Sequence, residues 1–158
     1  MLFHTIDPVY DENSRILILG SFPSVKSRES QFFYGHPQNR FWKILSAVFE
    51  DTLPITVAEK RAFLLRHRIA LWDVIASCEI EGSSDQSIKN AQPNDLSKIL
   101  QTANIQAIYT NGGTATKLYT RYILPKIGRE AVALPSSSPA NAAWSQERLI
   151  QAWKIIHS

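Results

Sequence analysis

The residues Arg15–Gly20 form a short, continuous apolar run that ends in glycine. Such a run is typical of a strand that is buried on both faces, as the strands of a parallel sheet are. Ile69–Val74, Ala107–Thr110 and Ala131–Leu134 are predicted as further strands, and segments with helical spacing separate them. Because strands and helices alternate, the sequence predicts an α/β fold, a three-layer α/β/α sandwich around a central, mostly parallel four-stranded sheet.

The predicted helices are marked by their apolar spacing and their capping residues. Arg40–Phe49 carries apolar residues on one helical face, and Asn39 precedes it at the position of an N-cap. Thr56 and Glu59 match a capping box, which predicts a helix that continues to His67. Further helices are predicted from Asn94 or Asp95 to Thr102, over Thr114–Tyr122 and over Ser145–His157.

The segments between these elements are predicted to be loops. Ser77–Asn94 is polar and rich in turn residues, which predicts a long surface loop of a kind that often carries function. Ser21–Gln38, Asn111–Gly113 and Pro135–Asn141 each follow a predicted strand. Since ligands of open α/β sheets bind beyond the carboxyl ends of the strands, we expect these three loops to converge on a site.

The composition is that of a globular protein with a sizeable core. The chain has 158 residues, of which 44% are apolar and 20% charged, and we expect one domain over residues 1–158. Lys and Arg exceed Asp and Glu by 17 to 14, which gives a net charge of +3. This mildly basic balance permits a polyanionic partner but does not require one.

Several classes of protein are disfavoured by what the sequence lacks. A single cysteine, Cys78, excludes an intramolecular disulfide and a cysteine-bound iron–sulfur cluster within one chain. The four histidines have no metal-ligand spacing, so we expect no metal. There is no signal-peptide pattern and no apolar stretch of roughly 20 residues, which would span a bilayer. We therefore expect a soluble protein of the cytoplasm, without a membrane partner.

The segment Phe32–Trp42 combines five aromatic rings with His36, Asn39 and Arg40. A core strand does not need such polar residues, and a solvated loop does not need so many rings. Each residue has a structural explanation, Tyr34 as core, Asn39 as an N-cap and Arg40 as a surface charge. Taken together they favour a site that binds a flat, polar ligand, for which a nucleobase is the obvious candidate.

The other candidate segments are less specific. Gly20–Ser24 is neither a nucleophile elbow nor a phosphate loop, and a plain turn explains it. Pro135–Asn141 carries hydroxyl groups that suit phosphates, although a flexible linker remains an alternative. Asn111–Thr114 fits an anion site and a helix N-cap equally well. Asp73 is interpreted as a turn or capping residue in preference to a buried acid.

The chain resembles the uracil-DNA glycosylase superfamily, most closely its hypoxanthine-DNA glycosylase branch (family 6). A Gly-His-Pro-x-Asn-Arg-Phe-Trp run is a specific signal and occupies residues 35–42. Weaker matching segments occur in family order: Gly20–Ser24, Leu71–Cys78, Thr110–Gly113 and Ser136–Asn141. The resemblance implies a monofunctional DNA glycosylase that excises deaminated bases, hypoxanthine first and uracil second. It also implies an α/β/α fold and no cofactor.

The resemblance also shifts the expected catalytic residue. Phe22 stands where mismatch-specific uracil glycosylases carry a catalytic Asn and classical uracil enzymes an Asp, and it cannot polarise water. The hypoxanthine branch instead takes its catalytic amide from the His-Pro-x-Asn-Arg run, which implies Asn39. Classical enzymes also carry a His in their second motif, and here that loop has Ser136–Ser138 and Asn141.

These expectations assign a role to each candidate residue. Asn39 orients the attacking water or donates to the departing base, and Tyr34 stacks on the flipped base. The backbone N–H groups of Ser21 and Phe22 contact the base, and Asn111 lines the pocket floor. Ser136, Ser137 and Ser138 bind phosphates, and Pro139–Asn141 wedges into the vacated stack. The DNA backbone is neutralised by Lys26, Arg28 and Arg40.

Rival functions remain open at the level of sequence. A DNA-binding module without catalysis would use the same aromatic residues and loops. A hydrolase of free nucleotides would act on deoxyinosine and ignore duplex DNA. Within the glycosylase interpretation, the runner-up is a mismatch-specific uracil or thymine enzyme. We expect DNA that contains deaminated bases as the partner and a monomeric protein.

Overall fold

The computed structural model describes residues 1–80 and 88–157. Its strands, in chain order, are β1 (Leu2–Phe3), β2 (Ile16–Gly20), β3 (Ile69–Asp73), β4 (Ile75–Glu79), β5 (Lys89–Pro93), β6 (Ala107–Asn111) and β7 (Val132–Leu134). Its helices are α1 (Val25–Ser30), α2 (Phe41–Val48), α3 (Val57–Arg66), α4 (Ser97–Thr102), α5 (Gly113–Tyr122), α6 (Leu124–Ile127) and α7 (Gln146–Trp153). A short 3₁₀ helix, Lys154–Ile156, follows α7. None of the helices in this described part is long and apolar enough to cross a membrane.

The central sheet contains four parallel strands in the order β3-β2-β6-β7. The run that opens the sequence, β2, is an inner strand and pairs with both β3 and β6. Its last residue, Gly20, lies beside Asp73, the last residue of β3. The predicted four-stranded parallel sheet is therefore confirmed, and two neighbouring strands end at the same level.

The side chains of β2 alternate between two cores, one on each face of the sheet. Ile18 packs into a cluster with apolar residues of α2, α3 and α7. Leu17 and Leu19 pack on the opposite face with residues of α4 and α5. All three side chains are fully buried, and each contributes about 1.5–3 kcal/mol through removal from water. Helices on both faces of the sheet confirm the predicted α/β/α sandwich.

A second, antiparallel sheet was not predicted from the sequence. It has three strands in the order β1-β4-β5. The prediction of one long loop over Ser77–Asn94 is wrong, because β4 extends to Glu79 and β5 runs from Lys89 to Pro93. The sequence hides these strands because β5 is Lys-Asn-Ala-Gln-Pro, which contains one buried residue. Residues 81–87 of the predicted loop lie outside the described residues.

Two further boundaries differ from the predictions. The segment after Gly20 is not all loop, since α1 begins at Val25 and Ser24 caps it by accepting from the N–H of Ser27. Helix α2 begins at Phe41, with Arg40 and not Asn39 at the N-cap position. The predicted capping box is confirmed, because Thr56 Oγ1 accepts from the Glu59 N–H at 3.1 Å and Glu59 Oε1 accepts from the Thr56 N–H at 2.9 Å.

An ionic cluster joins the loop after α2 to the end of α3. His67 Nε2 and Arg66 Nη2 each lie 2.7 Å from Asp51 Oδ2. The hydrogen bonds from His67 and then from Arg66 lower the pKa of Asp51 below its usual range. A carboxyl group whose pKa is lower in the folded than in the unfolded state stabilises the folded state only while it is ionised.

We predict that Asp51→Asn lowers the melting temperature at neutral pH and has less effect in acid. The stabilisation is present above the unfolded-state pKa of about 3.9 and is lost as the pH falls through the lower folded-state pKa. Thermal unfolding of wild type and variant between pH 7 and pH 2 measures the difference. The exposed Asp7→Asn is the control, and a pH-independent effect of Asp51→Asn contradicts the prediction.

Candidate active site

A cavity of about 300 Å³ lies beyond the carboxyl ends of β2, β3 and β6. Its size is at the lower end of small-molecule pockets, which span about 300–1,000 Å³. The three loops predicted to converge all contribute to its wall. The lining residues are Gly20–Ser24, Ser27, Phe33, Tyr34, His36, Asn39, Asp73, Asn111 and Ser136–Ala140.

Asn39 presents one polar group to this cavity. Its side-chain oxygen Oδ1 accepts from the backbone N–H of Phe41 at 3.0 Å and from Ser137 Oγ at 2.8 Å. Because a backbone N–H can only donate, the first contact fixes which end of the amide is oxygen. The described residues offer no acceptor to Nδ2, so Asn39 presents a hydrogen-bond donor to the cavity.

Ser137 and Asn111 form a brace behind Asn39. Ser137 has no exposed surface, and its N–H donates to Asn111 Oδ1 at 3.0 Å. Asn111 Nδ2 donates in turn to Ser137 Oγ at 3.0 Å and to the Tyr34 hydroxyl at 3.1 Å. Both ends of the Asn111 amide are therefore engaged by protein groups, which makes it a support for its neighbours in the pocket floor.

Tyr34 adopts an unusual backbone conformation at the cavity wall. Its φ of 53° is left-handed, which is uncommon for a residue other than glycine. The N–H of the next residue, Gly35, donates to Ser27 Oγ at 2.9 Å and holds the turn. The ring stacks on Phe41 with the centroids 4.0 Å apart and the planes 17° apart. Phe41 thus covers one face of Tyr34, and Tyr34 itself lines the cavity.

Ser21 and Phe22 also line the cavity, and both are buried. The Phe22 ring stands edge-on to the His4 ring, with the centroids 6.0 Å apart. Within the described ranges, no group accepts from the N–H of Phe22. A donor on the cavity wall suits a carbonyl oxygen, in agreement with the base contact expected of this backbone.

The loop that contains Ser136–Ser138 is organised from within. Ser136 Oγ accepts from the Ser138 N–H, and Ser138 Oγ accepts from the Ala140 N–H, each at 3.1 Å. Asn141 Nδ2 donates to the Ser136 carbonyl at 3.0 Å. Pro139 and Ala140 form the exposed tip. The polar side chains therefore shape the loop, while its tip faces solvent.

The predicted cations have different surroundings. The Arg40 guanidinium donates to the carbonyl oxygens of Ser138, Asn141 and Trp144, whereas the sequence suggested that it neutralises DNA phosphates. Its Nε is buried, and no group in the described ranges accepts from it. Arg40 therefore holds the loop. Lys26 is exposed beside Glu29 and does not line the cavity, and Arg28 lies over the Phe22 ring.

The sequence interpretation missed a buried pair at the cavity, Asp73 and His4. Asp73 is 4% exposed, and its Oδ2 lies 2.8 Å from His4 Nε2. Its other oxygen, Oδ1, approaches Gly20 so closely that a Cβ there would overlap it, and the Tyr34 hydroxyl is 2.8 Å from the same point. Glycine is thus required at residue 20. The sequence favoured a turn or capping role for Asp73, whereas the carboxylate is buried, and no local signal links it to His4.

No group of three or more potential metal ligands occurs in the described part of the chain. The polar groups that line the cavity include the Asn39 amide, the backbone of Phe22 and the Asp73 carboxylate. This set can read the polar edge of a planar ligand that stacks on Tyr34, and it can stabilise negative charge near Asn39.

Comparison with known proteins finds relatives that match this chain over most of its length. A family model of the uracil DNA glycosylase superfamily matches residues 8–157. A protein named hypoxanthine DNA glycosylase from Methanosarcina acetivorans is 39% identical over 150 residues, which cover 94% of this chain and 93% of that protein. Its namesake from Methanosarcina barkeri is 38% identical over 136 residues, 85% of each chain.

A solved structure has the same architecture. The solution NMR structure of a candidate uracil DNA glycosylase from Methanosarcina acetivorans superposes with a TM-score of 0.79 and 33% sequence identity. The match covers 97% of each chain. With a family model that extends over nearly the whole sequence and relatives that share more than a third of their residues with it, the chain belongs to the uracil DNA glycosylase superfamily.

Proposed function

We propose that this DNA glycosylase excises hypoxanthine from DNA by hydrolysis of the N-glycosidic bond. The observation that carries the proposal is the fixed orientation of the Asn39 amide, which leaves its Nδ2 donor available in the cavity that Tyr34 also lines. The two Methanosarcina relatives named hypoxanthine DNA glycosylase support this choice of base.

The base must leave the duplex to reach such a cavity. Flipping costs a few kcal/mol, and less for a poorly paired base such as hypoxanthine opposite thymine. Stacking on an aromatic ring contributes about 1–3 kcal/mol per base. The face of Tyr34 opposite Phe41 supplies that contact, and because Phe41 supports the ring from behind, the stacking surface is in place before the base enters.

Asn39 acts on the departing base. As the bond between C1′ of the sugar and N9 of hypoxanthine breaks, its electron pair stays on the base. The oxygen of water adds to C1′, and the proton that the water loses ends on the base, which leaves as neutral hypoxanthine. Oδ1 of Asn39 already accepts two hydrogen bonds, so it is poorly placed to accept a proton from that water. Nδ2 donates to the base as negative charge develops, a contribution of about 2.7–4 kcal/mol to the barrier. Of the two roles that the sequence left open, the geometry favours donation.

Asp73 and the backbone of Phe22 recognise the edge that deamination creates. Hypoxanthine carries an N1–H donor next to its O6 acceptor, whereas adenine carries an acceptor at N1. Asp73 Oδ1 accepts from N1–H, and the Phe22 N–H donates to O6. Both groups line the cavity, and Asp73 is almost fully buried, which suits contact with the innermost edge of the base.

Uracil is the second candidate substrate, for a specific reason. Its N3–H and O4 repeat the donor and acceptor order of hypoxanthine N1–H and O6. Cytosine, with an acceptor at N3, does not. The NMR structure described as a candidate uracil DNA glycosylase agrees with this alternative.

Contacts with the rest of the DNA follow from what the loops expose. Pro139 and Ala140 at the exposed tip are placed to fill the gap that the flipped base leaves. Lys26 remains the candidate for a phosphate contact, since its side chain is 57% exposed.

We further propose that the protein acts as a monomer inside the cell, without metal or cofactor, as a single domain over residues 1–158.

We predict that Asn39→Asp and Asn39→Ala both abolish excision. The aspartate keeps the acceptor for Phe41 and Ser137 but lacks the donor, so both variants should lose about 10²–10³ in rate. The measurement uses a labelled duplex with deoxyinosine opposite thymine, and alkali converts abasic sites to strand breaks.

Asn39→Asp also separates the two roles of Asn39. A carboxylate activates water better than an amide does, so a rate equal to or above that of wild type contradicts donation to the base. Circular dichroism and duplex affinity serve as controls, and both should match the wild type. An inactive wild-type protein in the presence of hypoxanthine and uracil duplexes would refute catalysis itself and leave a DNA-binding module.

We predict that Ser137→Ala lowers the excision rate about tenfold, an increase of about 1.4 kcal/mol in the barrier. The change removes a donor to Asn39 Oδ1 and an acceptor of Asn111, so the catalytic amide loses one of its two anchors. Ser46→Ala on α2, whose hydroxyl donates to the Lys43 carbonyl, is the matched control. An unchanged single-turnover rate for Ser137→Ala would show that the brace has no part in catalysis.

A further inference from the structure

His4 lies behind the cavity on a segment that is distant in sequence from the other site residues. Strand β1 pairs with β4, and the His4 N–H donates to the Ala76 carbonyl at 2.7 Å. The imidazole is 1% exposed. The rings of Phe22, Phe33 and Trp72 surround it, with centroids 6.0–6.2 Å from its own. Both its backbone and its ring are thus fixed.

The backbone also selects which nitrogen of His4 carries the proton. The N–H of Ile6 donates to His4 Nδ1 at 3.3 Å, so Nδ1 acts as an acceptor. In a neutral imidazole the proton then resides on Nε2, which donates to Asp73 Oδ2 at 2.8 Å. The hydrogen bonds therefore run in one order: the Ile6 N–H donates to His4, and His4 donates to the Asp73 carboxylate.

We propose that His4 is a positioning residue, which holds Asp73 so that Oδ1 accepts the N–H of the flipped base. The inference rests on the proposed function, in which Asp73 recognises that N–H. Burial of a carboxylate is costly unless the group is paired, and His4 is its partner among the described residues. With Oδ2 occupied by His4, Oδ1 is the oxygen left for a ligand.

The substitution Asp73→Asn tests whether His4 donates a hydrogen bond to residue 73. In Asp73→Asn, the Nε2–H of His4 can pair only with the amide oxygen, so the amide NH₂ turns to the cavity. A donor then faces the N1–H donor of hypoxanthine, and excision falls. If His4 is also replaced by Phe, the amide is free to rotate and present its oxygen. Removal of His4 should therefore harm the wild type but help Asp73→Asn.

The experiment compares the wild type, His4→Phe, His4→Gln, Asp73→Asn and the double variant His4→Phe/Asp73→Asn. Single-turnover rates and KM are measured on a deoxyinosine duplex. We expect His4→Phe to lower kcat/KM about tenfold, as befits a lost hydrogen bond to a charged group. His4→Gln, which retains a donor, should stay within about threefold of wild type. The double variant should exceed Asp73→Asn alone.

The opposite effects of His4→Phe on the excision rate in the wild-type and Asp73→Asn backgrounds distinguish positioning from a structural role. If His4→Phe lowers the rate equally in the wild-type and Asp73→Asn backgrounds, His4 serves only packing and the inference is overturned. Equal loss in His4→Gln and His4→Phe overturns it as well. A wild type that excises neither hypoxanthine nor uracil instead refutes the proposed function, so the two failures are distinguishable.

A second measurement does not depend on activity or on the folding of a variant. The ¹⁵N chemical shifts of His4 in the wild-type protein report which nitrogen is protonated. We expect a protonated Nε2 and an unprotonated Nδ1 at neutral pH. The opposite tautomer would mean that His4 does not donate to Asp73, and the inference would fall.

Discussion

The site depends on the two hydrogen bonds that Asn39 Oδ1 accepts. One comes from Phe41 at the start of α2, and the other from Ser137 in the loop after β7. These contacts join two segments that lie 98 residues apart in the chain. They also fix the amide before any ligand binds, so the cost of orienting the donor is met during folding. The surrounding side chains serve mainly to keep these two contacts in place.

Arg40 extends this principle to the whole loop. A guanidinium has five N–H donors in a planar arrangement, which suits several carbonyl oxygens at once. Arg40 follows Asn39 directly in the sequence, and its Nη1 and Nη2 donate to carbonyl oxygens of the segment that follows β7. The Asn39 amide and the guanidinium that organises the opposite wall are therefore neighbours in the chain. This adjacency explains why two polar side chains stand together in the aromatic-rich segment Phe32–Trp42.

Sequence reasoning succeeded where the pattern is local. The β2 run, the capping box at Thr56 and the alternation of strands and helices each depend on neighbouring residues, and each prediction was confirmed. It failed for β5, because an edge strand with one buried residue has no apolar signal. The pairing of Asp73 with His4 was missed since it spans 69 residues. The contacts of Arg40, which was assigned to the DNA backbone, were missed because its acceptors lie about 100 residues away.

Because His4 directly follows the first strand, the site can be damaged while the central sheet stays folded. Strand β1 contains two residues and belongs to the small antiparallel sheet, so the central sheet is built without it, and its contribution to the cores is the partly buried Leu2. A shortened protein that starts after residue 5 would retain nearly all of the α/β/α framework. It would nevertheless lack the group that faces Asp73 from behind. Spectra that report secondary structure would not detect the defect, so a tag or a truncation at the N-terminus should leave the first strand intact.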